Sequence, residues 1–383
     1  MLKITKFLVK NSVNSTPSKS YSIAAVAQRK IDIFRTNEQN PLKHNPSQSA
    51  QFYKIDPEVR KQLFQHGGIP KSFDIQTKTF AETCLMIREP ALDVINCMNR
   101  IDYSKPPVKF VLYGDKGVGK SLTLAHLIHH AYESGHFVVH VPWVGQWMRS
   151  CKEYSNSESK EGYVDLNIDA AAWLHHIKVQ NAHFLSKPEF VTSQTYQWSK
   201  REATEKGASL VELIDHGINR IKYACDTITA LAEEIKVLSK SGVCKTFVAI
   251  DGYNAFFYPY TRVFTEKKER VAPAKITITE GFLNLTKTDW NNAVCVLTVD
   301  EIAIAEEDHK SPLPRYLLGK EGFEHLDPFV PIQVTSYNPK EFVSCMEYYR
   351  ERKWVQPVAG MDEELAFISG SNPYKLMNLC APL

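Results

Sequence analysis

The stretch Gly114-Asp-Lys-Gly-Val-Gly-Lys-Ser121 limits what this chain can fold into more than any other. It fits the phosphate-loop pattern G-x-x-x-x-G-K-[ST], which has meaning only between a strand and a helix. Val108 to Tyr113 is apolar and β-prone, as a buried strand requires, and Leu122 to Tyr132 has helical spacing without a breaker. The expected fold is therefore α/β, a parallel sheet flanked by helices. Gly114, Gly117 and Gly119 permit backbone angles that a side chain forbids. The loop N–H groups and the N-terminus of the next helix then converge on phosphate oxygens. Lys120 is expected on the β- and γ-phosphates and the Ser121 hydroxyl on Mg²⁺. Asp115, Lys116 and Val118 contribute backbone alone.

A second run, Thr246-Phe-Val-Ala-Ile-Asp251, is a hydrophobic strand ending in a carboxylate. Asp251 is placed to hold Mg²⁺ beside Ser121. Many ATPases keep a water-activating Glu at the next position; here it is Gly252, followed by Tyr253, Asn254 and Ala255. Binding of a nucleotide is thus better supported than fast hydrolysis, and no catalytic residue is assigned. Thr298 closes a further buried strand, Ala293 to Val299, where a polar sensor is often found. Thr286-Lys-Thr-Asp289 fits the guanine-recognition pattern [NT]-K-x-D, but it precedes a strand where the pattern requires it to follow one. No base recognition is assigned to it.

The first 31 residues contain no Asp or Glu, while Lys3, Lys6, Lys10, Lys19, Arg29 and Lys30 supply positive charge. Leu2, Ile4, Phe7, Leu8 and Val9 interleave with the first lysines, and serines follow. Basic, amphipathic, serine-rich and acid-free is the composition of a mitochondrial presequence, so residues 1–30 are assigned as one and the mature protein to the matrix. No run approaches the ~18 apolar residues of a membrane span, and no membrane partner is expected. Net charge is +3, too small to argue for nucleic acid alone. Two basic clusters, one with Arg262, Lys267, Lys268 and Arg270, the other with Arg350, Arg352 and Lys353, have the charge to meet RNA phosphates. The eight cysteines form no C-x-x-C pair, which indicates reduced thiols rather than zinc or a disulfide frame. His126, His129 and His130 fall at helical spacing, with no cysteine or carboxylate placed to complete a metal site, and read as a solvated helix face.

Residues 31–80 read as an extended N-terminal arm, with a short helix within Asp56 to Gln65 and an extended polar stretch from Lys71 to Thr79. The nucleotide-binding domain spans 81–335. Within it, Ala81 to Met98 is helical with Pro90 as a break, and 143–205 is a large insertion containing a helix near Ala170 to Val179. Leu210 to Ser239 reads as one long helix, Ile276 to Trp290 as another, and Pro331 to Val334 as a strand. Residues 336–383 form a small helical lid, in which Asn338-Pro339 and Asn372-Pro373 open helices as caps.

Several segments together carry a resemblance. They are the phosphate loop, Trp198-Ser-Lys-Arg-Glu-Ala-Thr-Glu-Lys-Gly207, Val248-Ala-Ile-Asp-Gly-Tyr-Asn-Ala255, Leu317-Leu-Gly-Lys-Glu-Gly-Phe323, Leu326-Asp-Pro-Phe-Val-Pro-Ile332 and Tyr337-Asn-Pro-Lys-Glu-Phe342. From about residue 50 onward the chain resembles the death-associated protein family of the mitochondrial ribosome's small subunit, also called mitochondrial ribosomal protein S29. The resemblance implies a P-loop fold of the AAA+ and signal-transduction-ATPase type with GTP or GDP and Mg²⁺ as cofactors. It implies small-subunit proteins and rRNA as partners, with contacts toward the large subunit, and hence a structural role; the missing Glu after Asp251 makes GTP hydrolysis at most slow. It also implies an alternative role, as a GTPase switch promoting apoptosis. Lids of these ATPases often point an Arg at the phosphates from the Asn-Pro turn; here Tyr374 and Lys375 stand there.

Overall fold

The computed structural model describes residues 34–265, 267–304 and 311–381. The expected presequence, residues 1–30, lies outside the described residues. The centre is a five-stranded parallel sheet of β1 (Val108–Tyr113), β2 (His136–Val141), β3 (Lys245–Ile250), β4 (Ala293–Thr298) and β5 (Val330–Gln333), in the order β5-β1-β4-β3-β2. β4 runs between the phosphate-loop strand β1 and the Asp251 strand β3, pairing Val294 with Val108 and with Phe247. All strand C-termini therefore meet at one edge. Both faces are buried along β1 to β4, so those strands read as continuous apolar runs, while β5 is an exposed edge strand. Phe110, Leu112, Phe247 and Val296 enter one core, while Val111, Val248, Ile250 and Leu297 enter the other.

The first core is covered by α3 (Glu89–Met98) and α4 (Lys120–Glu133), the second by α6 (Asn167–Gln180), α8 (Ala224–Lys240) and α9 (Thr277–Leu285). In chain order the remaining helices of seven or more residues are α1 (Pro57–Phe64), α2 (Lys71–Phe80), α5 (Val144–Ser150), α7 (Leu210–Asn219), α10 (Pro314–Leu326), α11 (Pro339–Glu351), α12 (Met361–Ser369) and α13 (Pro373–Cys380), and a single turn, Ala182–Leu185, follows α6. The insertion carries α5, α6 and two small antiparallel ribbons, and docks through Trp147 and Trp173 on Phe282 at ring distances of 5.3 and 4.8 Å. Among the described residues no helix is long and apolar enough to cross a membrane. All eight cysteines are free, and burial pushes the thiols of Cys225, Cys295 and Cys345 up to about 12.

Four local readings need correction. Lys71 to Thr79 is the helix α2, not an extended stretch. It buries Gln76, Thr77 and Phe80 on one face and carries an Asp74–Lys78 pair of 2.7 Å on the other, so polarity had masked an i, i+4 pattern. Cys84–Met86 is a short strand pairing with Phe52–Lys54, and helix begins only at Glu89, with Pro90 in its first turn. The single helix over Leu210 to Ser239 is two helices broken at Arg220 (φ −110°, ψ 69°). There Gly217 lets Leu174 and Thr227 approach within 2.8 Å of where a Cβ would sit, so α6 and α8 crowd onto α7 and the chain has to turn. His126, His129 and His130 are buried rather than solvated, because the N-terminal arm covers their face of α4. His44 Nδ1 lies 2.9 Å from His126 Nε2, and the Tyr53 hydroxyl 3.3 Å from His129 Nδ1. Burial, then repulsion from His44, holds His129 and His130 down at about 4.

Candidate nucleotide site

The phosphate loop joins β1 to α4 at the C-terminal edge of the sheet. Gly114 (φ +147°) and Gly117 (φ +82°) adopt backbone that L side chains rarely take. Both are also crowded. A Cβ on Gly114 would lie 2.1 Å from the Val334 carbonyl, and one on Gly117 would lie 2.7 Å from Tyr374 Cβ and 2.8 Å from Asn372 Oδ1. Three of the loop carbonyls are held by partners outside the loop. Asn372 Nδ2 donates to Lys116 O (2.9 Å), the Tyr374 N–H to Gly117 O (3.1 Å), and Arg88 Nη1 to Val118 O (2.7 Å). Among the described residues no backbone acceptor takes the N–H groups of residues 116–121. Carbonyls held from outside the loop and N–H groups left over at the start of a 14-residue helix make an anion cradle. Val118 itself is buried and serves as a core residue, while its backbone belongs to the loop.

Lys120 and Ser121 face the carboxylates at the ends of β3 and β4. The Ser121 hydroxyl hydrogen-bonds Asp251, as does that of Thr298. Burial pushes Asp251 up to about 6; Ser121, Thr298 and Lys120 oppose the rise, and the nearby Asp300 adds to it. Lys120 Nζ donates to Gly114 O (2.7 Å) and Asp115 O (2.8 Å) and pairs with Asp300 Oδ2 (2.8 Å). Ser121 and Asp251 thus meet, as Mg²⁺ would require; that ion takes one or two protein oxygens and fills the rest with phosphate and water. Among the described residues no group of three or more His, Cys, Asp or Glu is placed to hold a metal on its own.

These residues line a cavity of about 1050 Å³ bounded also by Ile69, Phe73, Trp143, Asp300 and, from the lid, Tyr374 and Met377, at the upper end of small-molecule sites. Its size and the phosphate cradle fit a nucleotide. Gly252 (φ +75°) is closed to substitution: the Trp143 ring lies 2.9 Å from where its Cβ would be. The turn carrying Trp143 is held there by the Val144 N–H donating to Asp251 O at 2.9 Å. Lys375 is exposed, and among the described lid residues no Lys or Arg lines the cavity. Thr286 to Asp289 sits at the opposite, N-terminal edge of the sheet, where Thr286 bonds the Tyr253 hydroxyl (2.8 Å) and Asp289 pairs with Lys236 (2.7 Å).

Three residues at the site escaped the sequence reading. Asp300 follows β4 by two residues, and a carboxylate past the end of a buried strand at the same edge was its signal. Trp143 stands just past β2 with nothing in its neighbourhood to mark it. Arg88, buried, spans Val118 O, Thr335 O (2.9 Å) and the Glu341 carboxylate (2.9 and 3.0 Å), tying loop to lid. Glu341 in turn completes the capping box at Asn338.

A family model described as mitochondrial ribosomal death-associated protein 3 matches residues 85–379. Two curated relatives are each named small ribosomal subunit protein mS29. The one from Bos taurus is 38% identical over 360 residues, covering 93% of this chain and 90% of the relative. The one from Mus musculus is 35% identical over 361 residues, covering 93% and 91%.

Proposed function

Because the chain belongs to the mitochondrial ribosomal death-associated protein 3 family, we propose that it is a structural component of the mitochondrial small ribosomal subunit. In this reading it carries a guanine nucleotide and Mg²⁺ at the phosphate loop and turns the nucleotide over slowly or not at all. The names of its relatives support the ribosomal role and a mitochondrial location. The acid-free basic start of the chain supports import to the matrix. The observation that carries the nucleotide is the cradle: carbonyls held from outside the loop, N–H groups without a backbone acceptor and a buried lysine at a helix N-terminus. The strand order, with β4 between β1 and β3, supports the AAA+ and signal-transduction-ATPase type. In this reading Gly114 to Ser121 hold the phosphates, and Ser121 and Asp251 hold Mg²⁺, which neutralises phosphate charge. The indole over Gly252 leaves no room for a water-activating side chain there, which favours a resident ligand over a hydrolytic switch.

The 261–271 hairpin supports an rRNA contact. Arg262, Lys267, Lys268 and Arg270 are exposed on it beside exposed Tyr260 and Phe264, and none makes an ion pair among the described residues. Cations with aromatic faces suit phosphates and unstacked bases. The test is to isolate small subunits from mitochondria in high salt. The chain should co-sediment with them, and denaturing the purified chain should release a guanine nucleotide. A chain that stays at the top of the gradient sinks the ribosomal role, and release of no nucleotide sinks the bound ligand.

A further inference from the structure

We propose that Asp300 is a built-in competitor for the phosphates, holding Lys120 in an internal ion pair that an incoming nucleotide has to displace. The proposal rests on the nucleotide reading of the site and concerns what sets its affinity. An ammonium has three N–H donors. Lys120 Nζ donates to Gly114 O and Asp115 O at 2.7 and 2.8 Å and lies 2.8 Å from Asp300 Oδ2 as an ion pair. A phosphate that takes up the ammonium has to displace one of these three contacts. Asp300 is the charged member, and the pair is buried, with side-chain exposures of 3% for Lys120 and 11% for Asp300. Separating such a pair costs far more than separating one at the surface.

Asp300 is also unable to drift away. Its other oxygen accepts from the Ile302 N–H at 3.0 Å, capping the turn Glu301–Ala303. Asn254 grips its backbone from both sides, donating to Asp300 O (2.9 Å) and accepting from the Asp300 N–H (3.0 Å). Once Lys120 turns to a phosphate, this fixed carboxylate is left without its partner and faces added negative charge. Asp300 therefore opposes binding twice, by holding the lysine and by repelling the anion. A carboxylate that instead helped to bind the nucleotide would have the opposite sign on neutralisation.

That sign is the test. Isothermal titration of the purified chain is run with GTP and with inorganic tripolyphosphate, which has no base, each in EDTA and in Mg²⁺. Asp300→Asn keeps the cap, since Asn serves as well as Asp there, and Asp300→Ser is a second neutral variant that also caps. Melting curves without ligand check that both fold. Both variants should bind both probes about tenfold or more tighter than wild type, the worth of one charge-assisted hydrogen bond. Lys120→Ala should bind both probes about 30- to 1000-fold more weakly than wild type. Unchanged or weaker binding by the neutral variants in either buffer overturns the competitor. Failure of wild type and variants alike to bind either probe overturns the nucleotide site with it, so the two failures are told apart.

Discussion

The carboxylate that neutralises Arg88 lies 253 residues away in the chain. The guanidinium is buried against Glu341, itself 3% exposed, and stacks over the Tyr337 ring at 5.1 Å. Truncating one partner of such a pair leaves an uncompensated buried charge, which costs about 3–5 kcal/mol. Arg88→Ala should lose roughly that much in urea denaturation, and Arg88→Met with Glu341→Gln should recover part of it, because two neutral groups need no mutual compensation. A double variant no more stable than the single one would show that the charge pair is not the cause. At the same scale, if the loop holds the nucleotide proposed above, Lys120→Ala should weaken its binding by about 30- to 1000-fold, read by calorimetry, as loss of a charged hydrogen-bond partner worth about 2–4 kcal/mol implies.

Among elements, the lid and the phosphate loop behave as one unit. Helix α13 opens with Asn372, whose Oδ1 caps Tyr374 and Lys375 N–H while its Nδ2 holds Lys116 O. The cap was legible from Asn-Pro alone; its second bond, to a loop 256 residues away, was not. Gly117 is where the two elements touch, so Gly117→Val should push α13 off the loop and strain a backbone at φ +82°. We expect a loss of about 1–3 kcal/mol together with faster proteolysis confined to the lid. A variant with wild-type stability and digestion pattern would mean that the loop and lid do not dock as described. Asn338→Ala, which removes the capping box of α11, should cost about 1 kcal/mol without that lid-specific cleavage.

For the whole molecule, the buried histidines set the acid limit. His129, His130 and His136 are held at about 4 and His140 at about 3, chiefly by burial, against an ordinary value of 6.5. Between those values the unfolded chain binds protons that the folded chain refuses, so stability is full above pH 6.5 and falls toward pH 4 by about 1.4 kcal/mol per pH unit for each histidine. Asp251, raised to about 6, and Asp165, Asp169 and Asp226, which burial also raises, have the opposite slope, but they are outnumbered by the buried histidines, which include His44, His126 and His176 besides these four. Melting temperature should therefore drop steeply from pH 6.5 to 4.5, and a flat profile would contradict the burial of these side chains. The amino-acid sequence by itself determined the phosphate loop with its strand and helix, the Asp251 strand, the reduced cysteines and the proline-led helix starts. Each of these is written in residues a few positions apart, where backbone angles and local hydrogen bonds decide. Tertiary structure alone decided that Arg88 reaches Glu341, that Trp143 closes Gly252, that Asp300 holds Lys120 and that three histidines lie beneath the N-terminal arm. Those are meetings through space between segments up to 253 residues apart, and no local pattern encodes which side chain will occupy the far side of a buried charge.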